Sequence, residues 1–183
     1  MNQSIMNKHF CHLATATLLS LLPLQNATAN TEDTAADVLR VALPAAAWGM
    51  TQYFADDEGS TQFYYSFAST IAATYALKTA IHKNRPDGSD DDAFPSGHTS
   101  MAFQGAAFMQ RRYGWKYGAP AYALATYVGY SRVNNDHHDT SDVLAGALIG
   151  IAASYWFAEP FYGVQITPTA GLNGVGLQLS KHW

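Results

Sequence analysis

Cysteine is almost missing from this chain: one residue, Cys11, in 183, so no intrachain disulfide can staple the fold or regulate it. Charge is sparse too. Ten Lys and Arg stand against fourteen Asp and Glu, and the net charge of -4 argues against nucleic acid as a partner. Mean hydropathy is only -0.11, low for a chain that would commit about 100 residues to five membrane spans of ~20 each. No internal repeat or low-complexity linker divides the sequence, and its length suits one domain with a real core. The one His/Asp cluster, His137, His138, Asp139 and Asp142, follows no usual zinc spacing.

What is present begins with a leader-like N-terminus: Lys8, an apolar stretch over 13–24, then the small residues Ala27, Thr28 and Ala29. This pattern predicts a secretory signal peptide over 1–29, with an uncleaved anchor as the alternative, and a single domain over 30–183. The apolar stretch is about a dozen residues, short for a membrane span. Cleavage would remove Cys11, and export without cysteine suits a bacterial periplasm.

The remainder predicts an all-α fold, a compact bundle of about five helices near 36–54, 61–83, 98–113, 119–132 and 140–158. Small residues recur along them, among them Ala72, Ala76, Gly105, Ala106, Gly146 and Gly150, which lets helices approach closely. Past Pro160 the pattern changes. Alternating residues around Gly171 and Gly174 predict a short β-hairpin-like tail over 160–183, a lid on the bundle.

Three polar clusters interrupt these apolar helices. The first is Lys78 with Arg85 and Pro86; seven positions is two helical turns, so on one helix both cations face the same way until Pro86 stops it. The second, Pro95-Ser96-Gly97-His98, predicts a turn into a helix whose free N–H groups and dipole favour an anion, with Ser96 adding a hydroxyl. The third is Ser131-Arg132, then His138 and Asp142. Arg132 offers a planar two-pronged donor. Asp142, four residues after His138, can hold one ring nitrogen and leave the other as a nucleophilic lone pair, with His98 as the general acid.

Each cluster alone has an ordinary reading. Lys78 and Arg85 would suit a solvated stripe, the PSGH segment a helix-starting turn, and the acidic run Asp90 to Asp92 a solvated loop. Together they collect three permanent cations and two histidines, which is costly unless an anion sits among them. Phosphate fits.

The order and spacing, Lys78-x6-Arg85-Pro86, then PSGH at 95–98, then Ser131-Arg132-x5-His138-x3-Asp142, resembles the signature of the type 2 phosphatidic acid phosphatase superfamily. That superfamily also includes bacterial acid phosphatases and vanadium haloperoxidases. The likeness covers about 65–155; the short acidic loop 87–94 departs from it and bears on substrate preference. The resemblance implies a metal-independent phosphatase with no cofactor. His138 would attack phosphorus to form a phosphohistidine, with His98 as acid and Lys78, Arg85, Arg132 and the Gly97 N–H on the equatorial oxygens. The substrate would be a mono- or diphosphate ester, lipid or small. A vanadate-dependent peroxidase and a non-catalytic phosphate-binding protein are the alternatives. The expected location is the periplasm, on or in the inner membrane, with the site facing the periplasm.

Overall fold

The computed structural model describes residues 31–161, 164–171 and 174–181. The expected leader over 1–29, its cleavage site and Cys11 lie outside them. Five helices follow in order, α1 (Thr31–Tyr53), α2 (Asp57–Ala80), α3 (Gly97–Tyr113), α4 (Trp115–Asn134) and α5 (Thr140–Phe157), then β1 (Val164–Gly171) and β2 (Gly174–Lys181). The fold is the all-α bundle expected. The two strands pair antiparallel, from Val164 opposite Lys181 to Gly171 opposite Gly174.

The central helix is α3, packed against each of the other four. Small residues let it be central. A Cβ on Gly146 would lie 2.5 Å from the Ser96 carbonyl oxygen, and one on Gly150 would lie 2.4 Å from that of Ser100. The α3–α5 approach therefore exists only because both positions are glycine. Gly150→Ala is expected to cost about 1–3 kcal/mol, read as a lower denaturant midpoint; an unchanged midpoint would mean that the helices are not in this close register.

Small polar side chains stitch the same interfaces. Thr74 Oγ1 donates to Ser100 Oγ at 3.0 Å, Gln104 Nε2 to Ser66 Oγ at 2.9 Å, and Ser154 Oγ to the Gln104 carbonyl at 2.9 Å. Each link satisfies a buried polar group that would otherwise be costly.

The up-and-down order gives the bundle two different ends. At one, Phe54, Tyr113 and Phe161 stack around a buried pair: Arg112 Nε donates to Asp56 Oδ2 at 2.8 Å, as does Tyr113 Oη, also at 2.8 Å. Burial pushes the Asp56 carboxyl up, but hydrogen bonds from Arg112, the Gly59 N–H and Tyr113 outweigh it, holding the group below its usual range. Asp56 also caps α2 through Gly59 N. All three expected polar clusters lie at the opposite end, where α2 and α4 finish and α3 and α5 begin.

One boundary differs with consequence. Helix α2 stops at Ala80, short of the expected 83, and Ile81 is extended. The chain beyond it bonds across its own loop: Lys83 N donates to Asp91 O, Ala93 N to Lys83 O and Arg85 N to Asp90 O, each at 2.9 Å. Arg85 is therefore not on the helix of Lys78. The residue before a proline disfavours helical backbone, and here it is Arg85 itself, before Pro86.

Candidate active site

A cavity of about 190 Å³ opens at the polar end, lined among others by Arg40, Lys78, Arg85, Asp92, Gly97, His98 and His138. Five of these were expected: Lys78 from the last turn of α2, Arg85 from the following loop, Gly97 and His98 from the first turn of α3, and His138 just before α5. Arg40 and Asp92 were not.

His138 is buried, and its Nδ1 lies 2.7 Å from the Ala93 carbonyl oxygen. A carbonyl can only accept, so the neutral ring carries its proton on Nδ1 and keeps the lone pair on Nε2. This corrects the expected orienting group. Asp142 Oδ2 is 3.9 Å from the same nitrogen, and its oxygens are engaged elsewhere: Oδ2 accepts from Asp139 N at 3.0 Å in the capping box of α5, and Oδ1 from Lys83 Nζ at 2.6 Å. The fixed tautomer survives, supplied by the backbone of the 81–96 loop. Lys83 also reaches Asp139 Oδ2 at 2.8 Å, tying that loop to the start of α5.

The cations are gathered around a carboxylate. Asp92 Oδ1 accepts from Arg85 Nη2 at 2.7 Å and Nε at 3.1 Å, its Oδ2 lies 3.4 Å from Lys78 Nζ, and Lys78 also donates to the Asp92 carbonyl. The acidic loop is thus not simply solvated. Asp92 marks where Lys78 and Arg85 can jointly hold an anion.

Gly97 leaves room for a ligand more than it relieves a clash. A Cβ there would touch Lys78 Cε at 3.7 Å and Thr74 Cγ2 at 3.9 Å, both ordinary contacts. Ser96 departs from expectation: it is fully buried, caps α3, and meets Thr99 Oγ1 at 3.0 Å, so its hydroxyl does not line the cavity. Capping claimed it. Arg132 is likewise buried outside the cavity lining and pairs with Asp33 of α1.

Helix α1 carries the residues that sequence reasoning missed. Asp33 takes Arg132 and lies 3.3 Å from His137 Nε2, Asp37 Oδ1 is 2.6 Å from His98 Nε2, and Arg40 reaches the cavity. Their spacing, 33, 37 and 40, puts all three on one helical face. That was the available signal.

Both cavity histidines are held near neutrality. Burial pushes His98 down to about 4, helped by Arg40 of α1 and Arg132 of α4 and opposed by Asp37. Burial likewise takes His138 to about 4, helped by Lys78 of α2 and Arg85 of the loop and opposed by the Ala93 carbonyl and Asp142 of α5. Between pH ~6.5 and ~4 the unfolded chain then binds protons that the folded chain refuses. Stability is full above pH ~6.5 and falls as pH drops toward 4. Comparing urea midpoints at pH 7 and 4.5 should show this loss, and the double variant His98→Gln/His138→Gln should lose less; an equal loss in both would place the acid sensitivity elsewhere.

A two-histidine, multi-cation cavity at one end of a five-helix bundle defines an anion-handling site of the phosphoryl-transfer kind. The model of the PAP2 superfamily matches residues 59–162. This chain belongs to that superfamily. Over 90 residues it is 38% identical to the lipid A 1-phosphatase of Porphyromonas gingivalis, covering 46% of this chain but only 20% of that protein. Over 136 residues it is 32% identical to the lipid A 4'-phosphatase of Helicobacter pylori, covering 68% of each. The crystal structure of Aquifex aeolicus LpxE superposes with a TM-score of 0.51 at 25% identity, covering 66% of this chain and 83% of that one.

Proposed function

We propose that this PAP2 superfamily member is a metal-independent phosphatase of membrane lipid phosphates, working through a phosphohistidine on His138. The observation that supports the reading is a cavity lined by His138, Lys78, Arg85, Gly97 and His98, with the His138 Nδ1 proton held by the Ala93 carbonyl so that Nε2 keeps the lone pair.

Binding begins with exchange of anions. The substrate phosphoryl oxygens take Lys78 and Arg85 from Asp92, and the N-terminus of α3 adds N–H donors at Gly97. His138 Nε2 forms a bond to phosphorus as the bond to the leaving oxygen breaks, and the leaving oxygen keeps the electron pair. His98 supplies its proton. Burial, with Arg40 and Arg132, holds His98 neutral; the negative charge of a bound phosphate dianion opposes this and raises its proton affinity, so the acid form is produced together with the complex. Neutral His98 then takes a proton from water as the water oxygen attacks phosphorus; the P–N bond breaks and phosphate leaves.

Lipid is favoured over small esters by the surroundings. An apolar groove between α1 and α2, lined by Val41, Pro44, Trp48, Phe63 and Phe67, shares Met101 with the catalytic cavity. A chain attached to the leaving oxygen can continue into it. Helix α5, Thr140–Phe157, is long and apolar enough to cross a membrane, only 22% of that stretch is buried, and Leu144, Leu148 and Trp156 are exposed on it. The named activities of the relatives, lipid A 1- and 4'-phosphatases, agree with this choice. We place the enzyme at the inner membrane with its cavity facing the periplasm, consistent with the leader-like N-terminus.

The test is phosphate release by the full-length chain in EDTA, comparing phosphatidate and a lipid A-type phosphate in mixed micelles with p-nitrophenyl phosphate. The reading expects kcat/KM for a lipid phosphate to exceed that for the soluble ester by roughly a hundred-fold, from remote apolar binding. Equal values would make it a general phosphatase. A rate abolished by EDTA and restored by zinc would overturn the metal-free chemistry.

A further inference from the structure

A cation beside the site takes no part in the chemistry. Lys83, in the loop after α2, lies outside the lining of the catalytic cavity, and its side chain ends on the first turn of α5. Its Nζ donates to Asp142 Oδ1 at 2.6 Å and to Ser141 Oγ at 3.2 Å, and lies 2.8 Å from Asp139 Oδ2. The Asp142 side chain is 0% exposed, against 31% for Lys83 and 55% for Asp139. A carboxylate so fully buried needs a counter-charge, and Lys83 supplies it.

The same residue fixes the loop through its backbone. Lys83 N donates to the Asp91 carbonyl and Ala93 N to the Lys83 carbonyl, a parallel bridge that brackets Asp92. The carbonyl of Ala93 then takes the His138 Nδ1 proton. Lys83 therefore joins two acceptors that compete for one proton: the Ala93 carbonyl, placed through the main chain of Lys83, and the Asp142 carboxylate, held by its side chain. Asp142 Oδ2 stands 3.9 Å from Nδ1 and would have to come roughly 1 Å nearer to accept from it. Lys83 on Oδ1 and the Asp139 N–H on Oδ2 keep it away.

We propose that Lys83 is a positioning residue: by clamping Asp142 to the start of α5, it leaves the His138 Nδ1 proton to the Ala93 carbonyl in place of a carboxylate. The proposal rests on the assignment of His138 as nucleophile. Either acceptor would fix the tautomer, and the difference between them is charge. A carboxylate without its counter-charge also favours the imidazolium, which has no lone pair to attack phosphorus. The other charged or titratable groups that share the cavity with the ring are Lys78 of α2, Arg85 and Asp92 of the loop, His98 of α3 and Arg40 of α1. Lys83 Nζ bonds to none of these among the described residues, so its replacement acts through Asp142.

The experiment follows His138 by nitrogen NMR of the full-length chain, labelled in histidine and held in detergent micelles, across the mildly acidic range. His138→Gln identifies the signal, and kcat/KM on p-nitrophenyl phosphate is measured over the same range. Wild-type His138, which burial above all holds at about 4, should stay neutral with its proton on Nδ1. Lys83→Gln is expected to raise the midpoint by about one pH unit and to lower kcat/KM about ten-fold on the acid limb. Lys83→Arg, able to bridge both carboxylates, should match the wild type, and Lys83→Gln/Asp142→Asn should return the midpoint. Asp142→Asn alone should keep the Nδ1–H form. An unmoved midpoint in Lys83→Gln, a raised one that persists in the double variant, or loss of the Nδ1–H form in Asp142→Asn would overturn the clamp. A raised midpoint with an unmoved acid limb would support the clamp and remove His138 as the nucleophile.

Discussion

Replacing His138 by glutamine should lower kcat and kcat/KM together by roughly ten-thousand-fold, because the lost interaction is a bond formed only during reaction. Glutamine is the informative substitute. Its side-chain amide can still donate to the Ala93 carbonyl that now takes His138 Nδ1 at 2.7 Å, so the 81–96 loop and the cations it positions have reason to stay in place. What the amide lacks is a nucleophilic nitrogen. Substrate or phosphate binding should therefore change far less than turnover, since Lys78, Arg85 and the start of α3 remain. His98→Gln makes the contrast. It should slow poor leaving groups severely and p-nitrophenol mildly, because only the former need the proton. If His138→Gln kept more than a few per cent of the rate, the nucleophile would lie elsewhere.

The largest stability effect should come from the far end of the bundle. Arg112 and Asp56 are almost wholly buried, at 1% and 3% side-chain exposure, and Arg112 also donates to the Glu159 carbonyl at 3.0 Å while Phe161 N donates to the Arg112 carbonyl at 2.7 Å. One guanidinium thus joins the cap of α2, the end of α3 and the segment that follows α5. Arg112→Met keeps much of the volume but leaves a buried carboxylate without a counter-charge, held only by the Gly59 N–H and the Tyr113 hydroxyl, at an expected cost of about 3–5 kcal/mol. For a domain of this size that corresponds to a melting temperature lower by roughly 10 °C. Adding Asp56→Asn should return part of the loss, and activity per folded molecule at low temperature should hold, because the pair lies at the end opposite the cavity. Simple additivity in the double variant would mean that the two groups do not depend on each other.

Periodicity and punctuation made the helices legible: the expected stretches 61–83, 98–113 and 119–132, with Pro86 and the PSGH turn between the first two, match α2, α3 and α4 to within a few residues at each end. The members of the site that lie at helix ends, Lys78, His98 and His138, were legible for the same reason. Three features were not. Arg85 was assigned to a helix because seven residues make two turns, whereas the bonds of Lys83 and Arg85 to Asp90, Asp91 and Ala93 fold the loop back on itself in a way that helical periodicity does not announce. Asp142 had two available uses, orienting His138 or capping α5, and the choice between them depends on where Lys83 comes to rest. Asp37 and Arg40 belong to a helix far from the clusters in sequence, and only the packing of α1 on α3 brings them to His98.

The central claim is that His138 itself takes the phosphoryl group. The most direct measurement is to mix the full-length protein with a radiolabelled phosphate-ester substrate, quench within milliseconds in base, and map the label by mass spectrometry. The account predicts an acid-labile, base-stable phosphoryl group on the peptide containing His138, absent from His138→Gln and, with p-nitrophenyl phosphate as the substrate, accumulating when His98 is replaced. Label on another residue, or its absence under conditions of full turnover without any burst of leaving group, would contradict it.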